Sequence, residues 1–160
     1  MNNIMGAFTG FEGRLNRQRW WIGVIILAII GIIISWILGA IFGTGLIMNP
    51  ADATDPAALQ GYIQKAGWIG LIVAIIFAYP YLAIAIKRRH DRNNNGYDVI
   101  GFLILELLIN LLNALGLALG MLSGLLGIIL LVYAIYLLVV LGFLKGTAGP
   151  NNYGPDPLQG

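Results

Sequence analysis

His90 is the only histidine in the 160 residues, and it stands beside Asp91 at the end of the basic run Lys87-Arg88-Arg89. A carboxylate can orient an imidazole for proton transfer, so the pair invites a catalytic reading. Two features of the chain weigh against it. Adjacent residues on a helix do not face each other, and a hydrolytic metal site needs further His or Asp ligands that a chain with one His does not supply. Cysteine is absent, which removes thiol catalysis, disulfides and thiolate metal sites. The expectation is a protein without cofactor or metal, and more readily a binder than an enzyme.

Glu106 is the second candidate, with Asn110 and Asn113 following at i+4 and i+7 on the same helical face. All three fall inside an apolar run. Ionisable side chains at membrane depth usually face a bundle interior and mark a pathway or a partner. The stripe therefore reads either as an interhelical hydrogen-bond seam or as the polar face of a small oligomeric transporter or channel. Four spans leave little room for a pore in one copy, so the transport reading requires an oligomer.

The elements that must position these groups are membrane spans. Apolar residues make up 59% of the chain and charged residues 10%, against about 45–50% and 25% in soluble domains. Four runs, 21–48, 67–86, 99–119 and 125–144, reach the roughly 20 residues that cross a hydrocarbon core. The fold class expected is all-α, four transmembrane helices in a single membrane domain over 1–160. Threading the chain back and forth places Arg14, Arg17, Arg19, Lys87, Arg88, Arg89, Arg92 and Lys145 on one side and Lys65 alone on the other. Short basic loops stay cytoplasmic, so both termini and the middle loop are expected in the cytoplasm. The formal net charge is only +2, so the basic side suits anionic headgroups better than nucleic acid. The first run is too long for a cleaved signal peptide and is expected to be retained.

Local signals refine this outline. Ile4, Phe8, Phe11 and Leu15 form one stripe of a short interfacial helix, opposed by Gly6, Gly10 and Gly13. Trp20 and Trp21 mark an interface. Asp55-Pro56 supplies a helix cap and first position, from which a helix could run into the second span. Pro80 predicts a kink, and Asn93-Asn94-Asn95-Gly96 predicts a turn. The segment from Gly120 to Gly124 is the expected reversal between the last two spans. One continuous helix from 99 to 144 would be more than twice the bilayer thickness.

Three polar segments carry unusual side-chain density: Phe11 through Gly13-Arg14 and Arg17 to Trp20-Trp21, then Pro80-Tyr81-Leu82-Ala83 followed by Lys87 through His90-Asp91 to Gly96-Tyr97, and Gly146-Thr147-Ala148-Gly149-Pro150-Asn151-Asn152-Tyr153-Gly154-Pro155-Asp156-Pro157. In this order they resemble the bacterial inner-membrane family known as domain of unknown function 805, over nearly the whole chain. Arg89, Asn95 and Tyr97 depart from that family's usual apolar residue, Ser and Trp. The resemblance implies an inner-membrane location and a fold, and supplies no mechanism. Two spans separate each segment from the next, so all three emerge on one face. Arg14, Arg17, Arg88, His90, Asp91, Gly96, Asn151 and Tyr153 are thus expected to converge in a cytoplasmic polar cap. Such a cap would either tie helix ends together or bind an anionic lipid headgroup or a membrane or cytoplasmic protein partner.

Overall fold

The computed structural model describes residues 4–44, 48–49, 52–117 and 121–159. Its helices are α1 (Arg17–Phe42), α2 (Pro56–His90), α3 (Tyr97–Ala114) and α4 (Met121–Leu137), the last continued by a π-helical turn over Leu138–Phe143. Among the described residues there is no β-strand beyond an isolated bridge between Asn151 and Gly154. All four helical stretches are long and apolar enough to cross a membrane.

Helix boundaries follow local chemistry. Asn16 caps α1 by accepting the Arg19 amide at 2.9 Å, so the helix starts four residues before the expected Trp21. Gly43, left-handed at φ 69°, ends it six residues before the expected Met48. Asp55 caps α2 through the Ala57 amide at 2.9 Å, with Pro56 in the first turn, as the sequence predicts. At 35 residues α2 is about 52 Å long, so it overshoots a core of about 30 Å. Pro80 lies in its interior without ending it.

The reversal between the last two helices is earlier than expected. α3 stops at Ala114, and Gly116 takes φ 70°, a conformation costly for any residue with a Cβ. α4 already begins at Met121, while Gly120 lies outside the described residues. The N-terminal segment also differs. It forms a 3₁₀ helix over Ile4–Phe8 and no more. Gly10 and Gly13, at φ 68° and 82°, turn the chain instead of continuing the helix to Leu15. Ala7 and Leu15 are nevertheless buried, packed with Trp20, Ile84 and Ala85.

α2 is the central element. It packs on α1 and α3, and α3 packs on α4, while among the described residues the backbones of α1 and α3 make no close approach. Gly67 and Gly70 make the α2–α3 contact close: a Cβ on either would collide with the main chain of Asn113 and Ala114, or with the Asn110 side chain. The buried cluster lies at one end of the bundle, where Leu15, Trp20, Ile84, Val99, Leu137 and Leu141 meet. Elsewhere the apolar surface faces outward. In the most apolar stretch of α1 only 6% of residues are buried, and Ile29, Ile32, Ile33 and Trp36 are exposed. A water-soluble protein does not display a continuous apolar patch of this extent, whereas lipid is its natural solvent.

Candidate functional site

The C-terminal end of the fourth span organises the polar cluster. A helix end leaves its last carbonyls without amide partners and carries the negative pole of the dipole. Here five consecutive carbonyls, 140 to 144, each accept a hydrogen bond from a side chain of another element. Arg88 Nε donates to Leu141 at 2.8 Å and its Nη2 to Leu144. Trp21 Nε1 donates to Gly142 at 3.0 Å, Arg17 to Phe143 at 3.0 Å, and Arg92 more weakly to Val140 at 3.4 Å. Gly142 permits this approach, because a Cβ there would press into the Trp21 and Trp20 rings. The start of α1, the end of α2 and the following loop are thus pinned to the end of the fourth span.

Asp91 is the anionic centre of the cluster. Its carboxylate pairs with Arg14 at 3.0 Å and with Arg88 one helical turn back. Arg88 is fully buried, the Arg14 side chain is 1% exposed and that of Asp91 5%. Two guanidinium groups against one carboxylate leave an excess positive charge in a water-poor place. Carbonyl oxygens offset it: Arg14 also donates to Gly149 and Thr147, both at 2.6 Å. Planar guanidinium groups suit such multiple donation in a way an ammonium does not. Gly146 lies against the Asp91 carboxylate where no Cβ would fit.

The C-terminal segment closes over this core. Thr147 donates its amide to the Asp91 carbonyl at 2.8 Å and its hydroxyl to the same oxygen at 3.1 Å. The Asn151 amide donates to the His90 carbonyl at 2.9 Å and to Thr147 Oγ1 at 2.8 Å. The Tyr153 ring stacks on His90, with centroids 3.8 Å apart and planes 7° from parallel. His90 Nδ1, when protonated, donates to the Gly13 carbonyl at 3.2 Å. His90 therefore faces the N-terminal segment and Tyr153, while Asp91 faces the two arginines. Asp156 holds the tail turn by accepting the Leu158 and Gly149 amides, both at 3.0 Å. The Leu158 amide, then that of Gly149 and the nearby charge of Arg14, hold its carboxyl below the usual 3.8.

Of the residues singled out in the sequence, Arg14, Arg17, Arg88, His90, Asp91, Asn151 and Tyr153 meet at this one end of the bundle. Gly96 stands apart from them, buried at φ 77° where the turn into α3 presses against Ile86. The intramembrane stripe is divided. Asn110 donates to the Glu106 main-chain carbonyl at 3.0 Å and lies over Gly70, Asn113 lies over Gly67, and the Glu106 side chain lines a separate cavity. Gly146 and Thr147 open the third polar segment but are not among the residues expected in the cap, and the second ion pair, Arg89–Asp98 at 3.0 Å, is not anticipated either. Tyr136 and Tyr133 donate to the Asp98 carboxylate and carbonyl at 3.0 and 2.6 Å. Basic residues close to an acidic one at the next helix start were the available signal for that pair.

Two clefts flank the cluster. One of about 780 Å³ lies between the N-terminal segment and the tail, with Arg19, Lys87 and Tyr153 on its walls. The Lys87 ammonium is held by the carbonyls of Gly6 and Thr9 at 2.9 and 3.0 Å. The second, of about 480 Å³, is lined by Arg17, Gln18, Lys145 and Thr147. Among the described residues the side chains of Arg19 and Lys145 have no hydrogen-bond or ion-pair partner, so their charge faces outward.

This arrangement has relatives. The chain is 25% identical over 158 residues to inner membrane protein YhaI of Escherichia coli K12, covering 99% of this chain and 94% of the relative. It is 23% identical over 157 residues to inner membrane protein YhaH of the same strain, covering 96% and 92%. No solved structure matches it. A family model described as "Protein of unknown function (DUF805)" spans residues 8–155, from the N-terminal segment through the tail turn, and the chain belongs to that family.

Proposed function

We propose that the chain is an integral inner-membrane protein, with both termini in the cytoplasm, whose polar cap binds an anionic phospholipid headgroup instead of catalysing a reaction. The relatives are named as inner membrane proteins, and the excess of basic residues around the cap supports a cytoplasmic orientation for it. The observation that carries the binding role is the division of labour among the cations. Arg14 and Arg88 are buried and occupied by Asp91 and by carbonyl oxygens, so they hold the cap together. Exposed Arg17 and Lys145 rim the cleft of about 480 Å³ beside the helix ends. A headgroup phosphate there would meet two cations and the Thr147 region at bilayer-surface height, each cation contributing about 1 kcal/mol.

Native mass spectrometry from nanodiscs containing equal phosphatidylglycerol and phosphatidylcholine tests this reading. The intact protein is expected to retain phosphatidylglycerol preferentially, and the Arg17→Gln, Lys145→Gln pair to lose the preference. Equal retention of both lipids by the intact protein would overturn it, and a protein that co-purifies through the same rim would move the surface to a protein partner.

A further inference from the structure

A cavity of about 330 Å³ lies within the span region, walled by Leu27, Ala28 and Gly31 of α1, Val73, Ala74, Phe77 and Tyr81 of α2, and Phe102, Leu103 and Glu106 of α3. No residue of α4 lines it. It exists because the backbones of α1 and α3 make no close approach and because Ala28 and Gly31, facing it on α1, are small. Phe77 lies against Gly31, 3.8 Å from where a Cβ would stand. Three of its lining residues, one from each helix, lie at a common depth. Leu27 is ten residues into α1, Tyr81 nine residues before the end of α2 and Glu106 nine into α3, so each is about 14 Å from the end that carries the polar cluster. Counted from helix ends that carry the polar cluster, that depth falls inside a hydrocarbon core of about 30 Å.

Among the described residues the Glu106 carboxyl has no hydrogen-bond or ion-pair partner. The neighbouring Asn110 amide is already engaged with the Glu106 main-chain carbonyl. An unpaired carboxyl at this depth is costly and is rarely kept without a counter-charge. Around it stand the rings of Phe77, Tyr81 and Phe102. Tyr81 and Phe102 have centroids 6.4 Å apart, and Phe102 is held edge-on by Tyr133 at 5.5 Å. Aromatic faces attract cations, most strongly where water is excluded. A small hard cation would ask for several oxygen ligands, and the lining offers the Glu106 carboxyl and the Tyr81 phenol. A bulky, weakly hydrated cation asks for one counter-charge and several rings, which is what this cavity supplies. Its volume lies at the lower end of the roughly 300–1,000 Å³ typical of ligand sites.

We propose that the cavity between α1, α2 and α3 is a binding site for a lipophilic organic cation, with Glu106 as counter-charge and Phe77, Tyr81 and Phe102 as its aromatic walls. Cation and carboxylate compensate each other in a medium where either alone is disfavoured. The site is independent of the headgroup cleft, which lies at the end of the bundle. Equilibrium dialysis of labelled benzyltrimethylammonium against the full chain in phosphatidylcholine nanodiscs tests it, with neopentylbenzene as the neutral molecule of the same shape. Saturable binding is expected, weakened by about tenfold or more in Glu106→Gln and in Ala28→Phe, which fills the cavity and leaves the carboxyl in place. Leu131→Ala, on the exposed side of α4 away from the cavity, should bind as the parent does, and neopentylbenzene should not compete. Absence of saturable binding by the parent would overturn the proposal. So would unchanged affinity in folded Glu106→Gln, or equal competition by the neutral molecule. If Glu106→Gln does not give a monodisperse protein, Ala28→Phe decides alone: retained affinity refutes the site and lost affinity supports it.

Discussion

Replacing Asp91 with Ala is the sharpest perturbation of the polar cluster. The carboxylate is the ion-pair partner of both Arg14 and Arg88, and all three side chains are at most 5% exposed. Removing one partner of a buried pair costs about 3–5 kcal/mol, because the remaining charge is left uncompensated. Two cations would be stranded here, which pushes the cost upward. Both keep carbonyl partners, at Thr147 and Gly149 for Arg14 and at Leu141 and Leu144 for Arg88, which pushes it downward. The Asp91 carbonyl that receives Thr147 is unchanged by the substitution. A net loss of about 3 kcal/mol follows, a factor of roughly 150 in the equilibrium constant. Unfolding titration in mixed micelles measures the global effect, and amide hydrogen exchange over 145–159 measures release of the tail. Asp98→Ala is the internal comparison. Its pair with Arg89 is more exposed, at 19% and 8%, and its loss should cost about 1 kcal/mol. The reasoning fails if Asp91→Ala costs less than about 1 kcal/mol, or if the two substitutions cost the same.

Arg88→Lys keeps the charge but cannot reach Leu141, Leu144 and Asp91 together, so it should cost about 2–3 kcal/mol in the same titration. Gly146→Val would place a side chain on the Asp91 carboxylate and should raise exchange of the tail amides, at about 1–3 kcal/mol, while leaving the α2–α3 contact intact. Asp156 has a lowered carboxyl pKa, so its contribution is complete above the ordinary value of 3.8 and is lost as pH falls through the lower folded value. Amide signals of Gly149 and Leu158 in an acid titration should therefore keep their hydrogen-bonded shifts at pH 3.8 and lose them only at lower pH. Since the chain has no cysteine, Ala53→Cys and Gln159→Cys report sidedness cleanly. An impermeant thiol reagent on spheroplasts should modify position 53 and spare 159, and the reverse pattern would turn the topology over.

The number of spans, the Asp55-Pro56 start of α2 and the turn near Gly96 were legible in the residues. Each depends on interactions within a few positions: apolar run length, a side chain reaching an amide two residues on, an Asn or Gly at positive φ. The N-terminal stripe misled because Gly10 and Gly13 outweigh periodicity, a contest of local terms that hydrophobic spacing alone does not rank. The reversal after Ala114 comes earlier than the sequence suggests: Gly116, at φ 70°, lies against Gln64 of α2, a contact between distant positions that residue order does not reveal.

The candidate site divides the same way. Chain order and the parity of crossings require the three polar segments to share a face, and charge patterning marks that face as basic. Which cation meets which acceptor could not be read from order. Arg14, Arg17, Arg19, Arg88, Arg89 and Arg92 are equivalent as sequence symbols. Their roles separate only when the helix ends are brought together in space. Arg14 and Arg88 turn inward to Asp91, Arg89 to Asp98, Arg17 and Arg92 to bare carbonyls of the fourth span, and Arg19 outward. Glu106 shows the converse. Its depth follows from counting residues, but its separation from Asn110 and Asn113 arises where two glycines let α2 press against α3 over those two side chains, while Glu106 faces the cavity beside α1. Hydrophobicity and charge are additive along a chain and survive in the sequence; the pairing of distant polar groups depends on which backbones can approach, and that is decided only by the packed structure.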